Sequence, residues 1–457
     1  MKKYIFLLSC FLSFIIQSQN KQIQYGFAEL PQTLLLNPGA ENNYKYHIGV
    51  PLLSGFSAEL GTTGFTVKDL FQNDNRTINQ KVATVLNQVN TRDYIKFNSQ
   101  IEIFNAGFRF NDDIYFSFGF YEEIDGIGYF ARDPITLINE GNAAYIGRTF
   151  SLSQINYKLD VLGVLHFGVS KKINKKLTLG ARFKVYSSAL SLQSTNNKGG
   201  FTTTLGTNNI YSHYLEDLDV DLKTSGLVDS DSNEFIRDAS TYLGNTFFGD
   251  NLGVGLDFGL TYKINSQLEF TASILDFGFI NHNTNVKNST IKGTYTFQGV
   301  EFDYDNNNPD YWNELDIDFR DKVPVKENTN GYTSWRPTKF NAAIKYNFGE
   351  IRSKYCYDNT FKEYYKSAVG AQLYSVFRPL GPQLALTGFY EHRFSQKLQA
   401  KVTYTVDEYS FYNIGAGLST QIGKVNFYGM IDNIAQFNDI ANSNNVSIQL
   451  GINLIFN

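Results

Sequence analysis

Asp303, Asp305, Asn307 and Glu314 stand at positions 1, 3, 5 and 12 of one segment, the spacing at which an EF-hand loop wraps oxygen ligands around calcium. Position 6 is Asn308 where glycine is usual, and Pro309 follows it. Asn tolerates a left-handed backbone, but Pro309 and the strand-like flanks weaken the analogy, and a solvated Asn/Asp-rich turn in an outer loop explains the segment better. Gly253-Val254-Gly255 with Gly259 is no dinucleotide fingerprint, because the last glycine is misplaced and strand lies on both sides. Small inward residues of a sheet account for it better. His47, His166, His213, His282 and His392 have no paired spacing for a metal, and no Gly-x-Ser-x-Gly nucleophile elbow occurs. These residues call for no cofactor and predict no enzyme.

A different set gains meaning from its neighbours. Asp160, His166, Arg182, Lys184, Asp257, Lys345, Lys397 and Lys401 occupy polar positions in segments that alternate apolar and polar residues. Leu177, Leu179, Ala181, Phe183 and Val185 flank Arg182 and Lys184, and Leu252 to Tyr262 repeats the pattern around Asp257. Such a strand has one apolar face and one polar face. If the polar faces converge on a lumen, these charges either pair to seal it or line a path for a polar solute.

The closing segment alternates most regularly, with Val446, Ile448, Leu450, Ile452, Leu454 and Phe456 against Ser447, Gln449, Gly451 and Asn453. A soluble sandwich alternates as well, but barrels in an outer membrane have short periplasmic turns and long outer loops. Short connections recur at Asn111 to Asp113, Lys171 to Lys176, Ile264 to Gln267, Ser395 to Gln396 and Gly423. The other junctions are mostly long, at Glu122 to Asn156, Gln193 to Asn251, Asn281 to Pro337 and Asp432 to Asn445, although Pro379 to Pro382 and Asp407 to Ser410 are short. Among the turns of the other side, Gly349 to Tyr365 is long. Counting back from Asn457 puts strands running one way near 446, 411, 383, 337, 252, 157 and 99. Their partners start near 424, 397, 366, 268, 177, 114 and 44. The predicted fold is all-β: a transmembrane antiparallel up-and-down barrel of about fourteen strands, with short helices in extracellular or lumen-facing loops. Ile78, Val82, Val85, Leu86 and Val89 fall at helical spacing, as a helix packed on loops or as a lid over an entrance. A second helix is expected after Asp133-Pro134, with Asp133 as its N-cap.

Composition agrees. Phe numbers 39, Tyr 30 and Gly 37 against 9 Pro, a vocabulary of strands and turns. Lys2 and Lys3 precede an apolar run from Tyr4 to Ile16 that is too short to cross a membrane as a helix. It reads as a signal peptide over 1–18, leaving 19–43 as an N-terminal periplasmic segment and 44–457 as the barrel. Cys10 loosely imitates a lipoprotein site but lies inside the apolar run, and without it only Cys356 remains, so no intrachain disulfide can form. The formal charge of -4 becomes -6 without Lys2 and Lys3, which argues against a nucleic-acid partner. The acidic stretch from Glu216 to Asp238 either bridges to lipopolysaccharide through divalent cations or keeps outer loops apart.

Leu36-Asn37-Pro38, Ile48-Gly49-Val50-Pro51-Leu52, Gly180-Ala181-Arg182-Phe183-Lys184, Asp276-Phe277-Gly278, Asp432-Asn433 and Gly451 to Phe456, in that order, resemble a family of uncharacterised outer-membrane proteins carrying a domain of unknown function. That family is similar to the FadL-type channels and to the PorV and PorP/SprF barrels associated with type IX secretion. The resemblance covers nearly all of the chain after residue 18. It implies fourteen strands and an N-terminal hatch from Gln19 to about Asn43. The expected function is a non-enzymatic barrel of the Gram-negative outer membrane, in contact with its lipid, that binds or passes a small hydrophobic molecule. The alternative is a non-transporting barrel that docks a secretion-system or surface-adhesin partner.

Overall fold

Alternating sequence becomes a closed wall. The structure, a computed structural model, describes residues 21–456 except 28–29, 207–210, 230–233, 299–324, 351–364, 396 and 412. The signal segment, the calcium-like residues Asp303, Asp305, Asn307 and Glu314, and Cys356 lie outside the described residues. The first strands are β1 (Tyr46–Gly49), β2 (Phe56–Thr62), β3 (Tyr94–Arg109), β4 (Ile114–Tyr129), β5 (Thr149–Ser151), β6 (Tyr157–Lys172) and β7 (Leu177–Ser194). Next come β8 (Lys198–Leu205), β9 (Tyr211–Ser225), β10 (Leu252–Lys263), β11 (Leu268–His282), β12 (Val286–Gln298), β13 (Lys326–Asn328) and β14 (Tyr332–Trp335). The chain ends with β15 (Lys339–Glu350), β16 (Tyr365–Arg378), β17 (Gly381–Ser395), β18 (Leu398–Val406), β19 (Asn413–Ile422), β20 (Val425–Ile431) and β21 (Asn445–Phe456).

β21 pairs antiparallel with β1 at Tyr46↔Phe456 and with β2 at Phe56↔Leu450, which closes the sheet on itself. β1 with β2, and β14 with β15, each form one span of the wall, whereas β5, β8, β9, β12 and β13 stand outside it. Fourteen antiparallel spans remain, so the barrel has no open edge in the membrane. Along β21 the residues Ser447, Gln449 and Asn453 are buried, while Ile448 and Leu450 are exposed. The same inversion holds for β10, where Val254, Leu256 and Phe258 face out and Asp257 is buried. Apolar outside and polar inside is the arrangement of a membrane barrel. No helix of the described residues is long and apolar enough to cross a membrane.

The ends of the barrel differ as the loop lengths require. Three periplasmic turns share one construction: the side-chain oxygens of Asn111, Asn174 and Asn265 each accept two backbone N–H groups, at 2.7–3.0 Å, from residues two and three further on. This Asx chemistry reverses the chain without glycine. Lys397, expected in the lumen, is exposed at such a turn, because strand β17 runs on to Ser395 and β18 begins only at Leu398.

Several outer features depart from the sequence reading. β3 begins at Tyr94, not near 99, and β4 runs to Tyr129 through residues assigned to a loop. The stretches from Gln193 to Asn251 and Asn281 to Pro337, expected as loops, contain β8, β9, β12 and β13, which form an extracellular sheet with β9 at its centre. Asp219 pairs there with Lys292 at 2.8 Å. The second helix spans Arg132–Glu140 with Ala131, not Asp133, at its N-cap. Asp133 lies within the first turn and accepts instead from Ser151 N and Arg148. The helix Ile78–Gln88 is capped by Thr77. Val85 and Val89 pack with Phe65, Leu70 and Phe130; Leu86 is buried, Val82 half-buried and Ile78 exposed.

Candidate functional site

The polar inner faces leave a lumen, and residues 21–45 run up into it. Ile23, Phe27 and Leu30 are buried against Tyr428 and Met430, and Leu34 and Tyr44 against Tyr115 and Ile455. Gln32 donates from Nε2 to Ser54 O (2.9 Å), Glu102 Oε2 (3.1 Å) and Asn453 Oδ1 (2.9 Å), and accepts from Asn453 Nδ2 at 3.0 Å. Ser54 reaches this position because the wall bulges between β1 and β2. The ladder continues there through Val50 N to Ile452 O and Glu102 N to Gly55 O. A chain inside a barrel must satisfy its backbone on the wall, and this segment does so. Arg182 donates to the carbonyls of Leu34 and Leu35, and Ser273 to Leu36 O.

At Asn37-Pro38-Gly39 the plug backbone comes directly against the backbone of the wall. Asn37 donates to Leu260 O at 3.1 Å. Pro38 lies against Gly180 of β7, where an added Cβ would sit 2.1 Å from the Pro38 carbonyl carbon. A Cβ on Gly259 of β10 would meet Asn37 Oδ1 at 2.1 Å. The two glycines form a seat that only hydrogen side chains leave open.

Above the seat lies a continuous layer of ion pairs. Asp257 accepts Arg182 (3.1 Å) and Lys184 (2.9 Å), and Lys184 reaches Asp276 at 2.6 Å. Lys339 joins Asp276 (2.9 Å) to Glu123 (3.6 Å), and Arg336 joins Glu123 (2.7 Å) to Asp160 (3.6 Å). Arg378 binds Asp125 with both terminal nitrogens, at 2.6 and 2.9 Å, and Lys96 binds Glu59 at 2.8 Å. Nearer the periplasm Lys401 and Lys345 share Glu391, at 3.2 and 3.6 Å, and Lys401 donates to Tyr25 O of the plug. Removing one member leaves a buried charge uncompensated, which costs roughly 3–5 kcal/mol. We therefore expect Arg182→Ala, which also strips two plug carbonyls of their donor, to lower stability by about that amount. Denaturant unfolding in detergent micelles measures it, and an unchanged midpoint would contradict this account.

Two cavities are present. The larger, about 520 Å³, is a notch in the wall, bordered by Phe277, Trp335 and Phe377, all more than half exposed on the outside surface, by Pro337 and Pro379, and by Lys158, Arg336 and Arg378. It opens where β11 and its partner kink together, at Asp276 (φ 58°) and at Pro337, which has no N–H for the ladder. The periplasmic one, about 290 Å³, lies between the plug residues Tyr25, Gly26, Asn37 and Glu41 and the wall residues Lys345 and Glu391. Between them, around Lys21, Leu35, Asp276 and Lys339, the free space is about 30 Å³, room for about one water.

The structure thus brings Asp160, Arg182, Lys184 and Asp257 into one network and sets Lys345 and Lys401 in a second. His166 is buried beside Tyr121, with ring centroids 5.9 Å apart, and joins neither network by an ion pair. Sequence reasoning missed Glu123, Asp125, Asp276, Arg336, Lys339 and Arg378. Glu123 and Asp125 keep the alternation set by Tyr115 and Ser117, so continuing that count along β4 would have found them. Asp276, Arg336 and Arg378 stand at kinks and turns, where period-two counting fails.

At the outer mouth the turn after β18 folds inward. Tyr409 is buried against Tyr94 and Ile127. Asp407 Oδ1 accepts the Tyr409 and Ser410 N–H groups at 2.9 Å, while its buried Oδ2 has no partner. Burial raises Asp407 to about 7, against the backbone hydrogen bonds that lower it and with the Asp432 charge adding to the rise. Burial likewise raises Asp432 to about 7, although Ser447 donates to it, and Glu408 to about 7.

Comparisons with known proteins can be set beside this geometry. No curated protein matches the chain. Among solved structures, the toluene transporter TbuX of Ralstonia pickettii superposes with a TM-score of 0.44 at 11% identity, over 98% of this chain and 100% of its own. A FadL homologue of Pseudomonas aeruginosa gives 0.43 at 9%, over 97% and 99%. The toluene transporter TodX of Pseudomonas putida gives 0.36 at 11%, over 96% and 93%. The barrel of this chain stands on its own strand ladder, and toluene transport is a property of TbuX and TodX. A family model matches residues 38–432, and the chain belongs to that family, the family of unknown function DUF5723.

Proposed function

We propose that this protein is a plugged outer-membrane channel that takes in a small, largely hydrophobic molecule. The observation that carries the reading is the plug: a segment of the chain's own N-terminal part fills the lumen above a cavity, held by hydrogen bonds and two glycine contacts that a shift of the segment would release. A barrel serving only as an anchor has no need of a separable stopper. The aromatic and proline border of the notch in the wall favours an apolar solute. The ion-pair layer keeps ions and water out while the plug is seated, since its charges already satisfy one another. Residues 19–43 act as the hatch and residues 44–457 as the channel wall, exported by a leader over 1–18. The helix Ile78–Gln88 covers the outer loops near the entrance.

Cells with and without the gene should differ in uptake of a labelled panel of aromatic hydrocarbons, alkanes and fatty acids. Equal uptake across that panel would overturn the channel reading. The extracellular sheet around β9 favours a second reading, in which the barrel docks a secretion-system or adhesin partner. A stoichiometric surface partner in crosslinked detergent extracts, combined with equal uptake, would select it.

A further inference from the structure

The Asx turns at the periplasmic end do more than reverse the chain. Each is preceded by an apolar residue held outward: Phe110 is 66% exposed, Ile173 49% and Ile264 40%, and Phe394 and Ile422 hold the same place in two further turns at 63% and 67%. The surface they continue is the apolar belt of the barrel, so the ring they form lies at the end of the acyl region. Within three residues of the ring stand exposed lysines, Lys175, Lys176, Lys397 and Lys424 beyond it and Lys171 and Lys172 just before Ile173. The exposed carboxylates among the described residues of this rim, Asp112, Asp113 and Glu350, are fewer. At the opposite end exposed charges of the two signs balance among the described residues, with Glu140, Glu216, Asp217, Asp250 and Asp439 offset by Arg76, Arg92, Arg148, Lys198 and Lys292.

Height and charge together define the partner. A lysine beside a lipid-buried Ile or Phe runs its stem along apolar surface and delivers its ammonium group at headgroup level. There it meets phosphate, and each lysine near an anionic surface adds to the attraction. We propose that this lysine rim binds the anionic phospholipid headgroups of the periplasmic leaflet and concentrates them around the barrel. The Lys171 to Lys176 turn is the densest part, with four ammonium groups on six residues around Ile173. A zwitterionic headgroup carries its own ammonium, which opposes the same lysines, so the rim discriminates between the two. The outer end carries no such excess of exposed cations among the described residues, so the preference belongs to the periplasmic end alone.

The test uses the full barrel in mixed micelles containing equal amounts of phosphatidylglycerol and phosphatidylethanolamine, with retained lipids counted by native mass spectrometry. The wild type should retain the anionic lipid about fivefold over the zwitterionic one. The variant K171Q/K172Q/K175Q/K176Q should fall most of the way to parity. Its unheated electrophoretic mobility reports that the barrel is still closed, and K397Q/K424Q, with only two changes, should give an intermediate ratio. No preference in the wild type, or full preference in a closed quadruple variant, would overturn the proposal. Capture of an acidic periplasmic protein by a barrel with no headgroup preference would overturn it too and assign the rim to that protein.

Discussion

Gly180→Leu should open the channel without unfolding the barrel. Gly180 faces Pro38 so closely that a Cβ would stand 2.1 Å from its carbonyl carbon and its oxygen, both backbone atoms that cannot rotate away. Overpacking of this kind costs about 1–3 kcal/mol when neighbours give way. Here two responses are available: the β7 ladder yields, or the plug leaves. β7 is held on both sides, by β6 from Lys172↔Thr178 to Tyr157↔Ser194 and by β10 from Leu252↔Ser187 to Tyr262↔Leu177. The plug near Pro38 has Asn37 on Leu260 O, Arg182 on Leu35 O and Ser273 on Leu36 O. The plug therefore moves. In planar bilayers the variant should conduct ions at least about tenfold more often than the wild type, since a displacement worth about 1.4 kcal/mol shifts the plugged-to-open ratio tenfold. Gly259→Leu, on the neighbouring strand, should do the same, because its Cβ would meet Asn37 Oδ1 at 2.1 Å. Gly429→Leu is the control, as a Cβ there meets nothing within 4 Å. If all three conduct alike, Asn37-Pro38-Gly39 is not the seat.

The wall was readable and much of its content was not. β7, β10 and β21 announce themselves because lipid on one side and a polar lumen on the other enforce a strict period of two. Arg182, Lys184 and Asp257 could be assigned to the lumen by parity alone, for the same reason. The plug gave no such signal: it follows neither period, and Gln32 or Thr33 look like surface residues until Asn453 and Ser54 are placed beside them. The motifs Leu36-Asn37-Pro38 and Gly180 to Lys184 were visible separately, but only the fold shows that they touch. Arg336 and Arg378 were lost because each stands next to a proline at a break in the ladder, where a sequence reads as loop. The extracellular sheet was lost because its acidic residues mimic a solvated linker.

Raising the pH from about 4 to about 8 should loosen the outer mouth, and Asp407→Asn with Asp432→Asn should abolish that dependence. The groups facing Asp407 are the carboxylates of Asp432, Glu59 and Glu408 and the phenols of Tyr94 and Tyr409. The nearby ammonium of Lys96 is bound to Glu59, and the guanidinium of Arg378 to Asp125. Both Asp407 and Asp432 are 3% exposed and lifted to about 7. An acid whose value is raised in the closed state holds its proton better there than when the turn swings out to water. The closed turn is thus most stable below the ordinary aspartate range near 3.8. It loses stability as pH rises toward about 7, and the loss is complete above that. A lift of about three units corresponds to roughly 4 kcal/mol for one group, enough to unseat a turn anchored mainly by the ring of Tyr409. Hydrogen exchange of the Tyr409 and Ser410 amides, both held by Asp407 Oδ1, reads the opening directly once corrected for the intrinsic rise of exchange with pH. In the wild type their protection should fall by a factor of about 100 or more between pH 5 and 8. In the double Asn variant, where an amide oxygen still accepts those bonds and no charge develops, protection should stay level. A wild type whose protection is flat across that range would show that the turn is held shut by something other than its buried carboxyl groups.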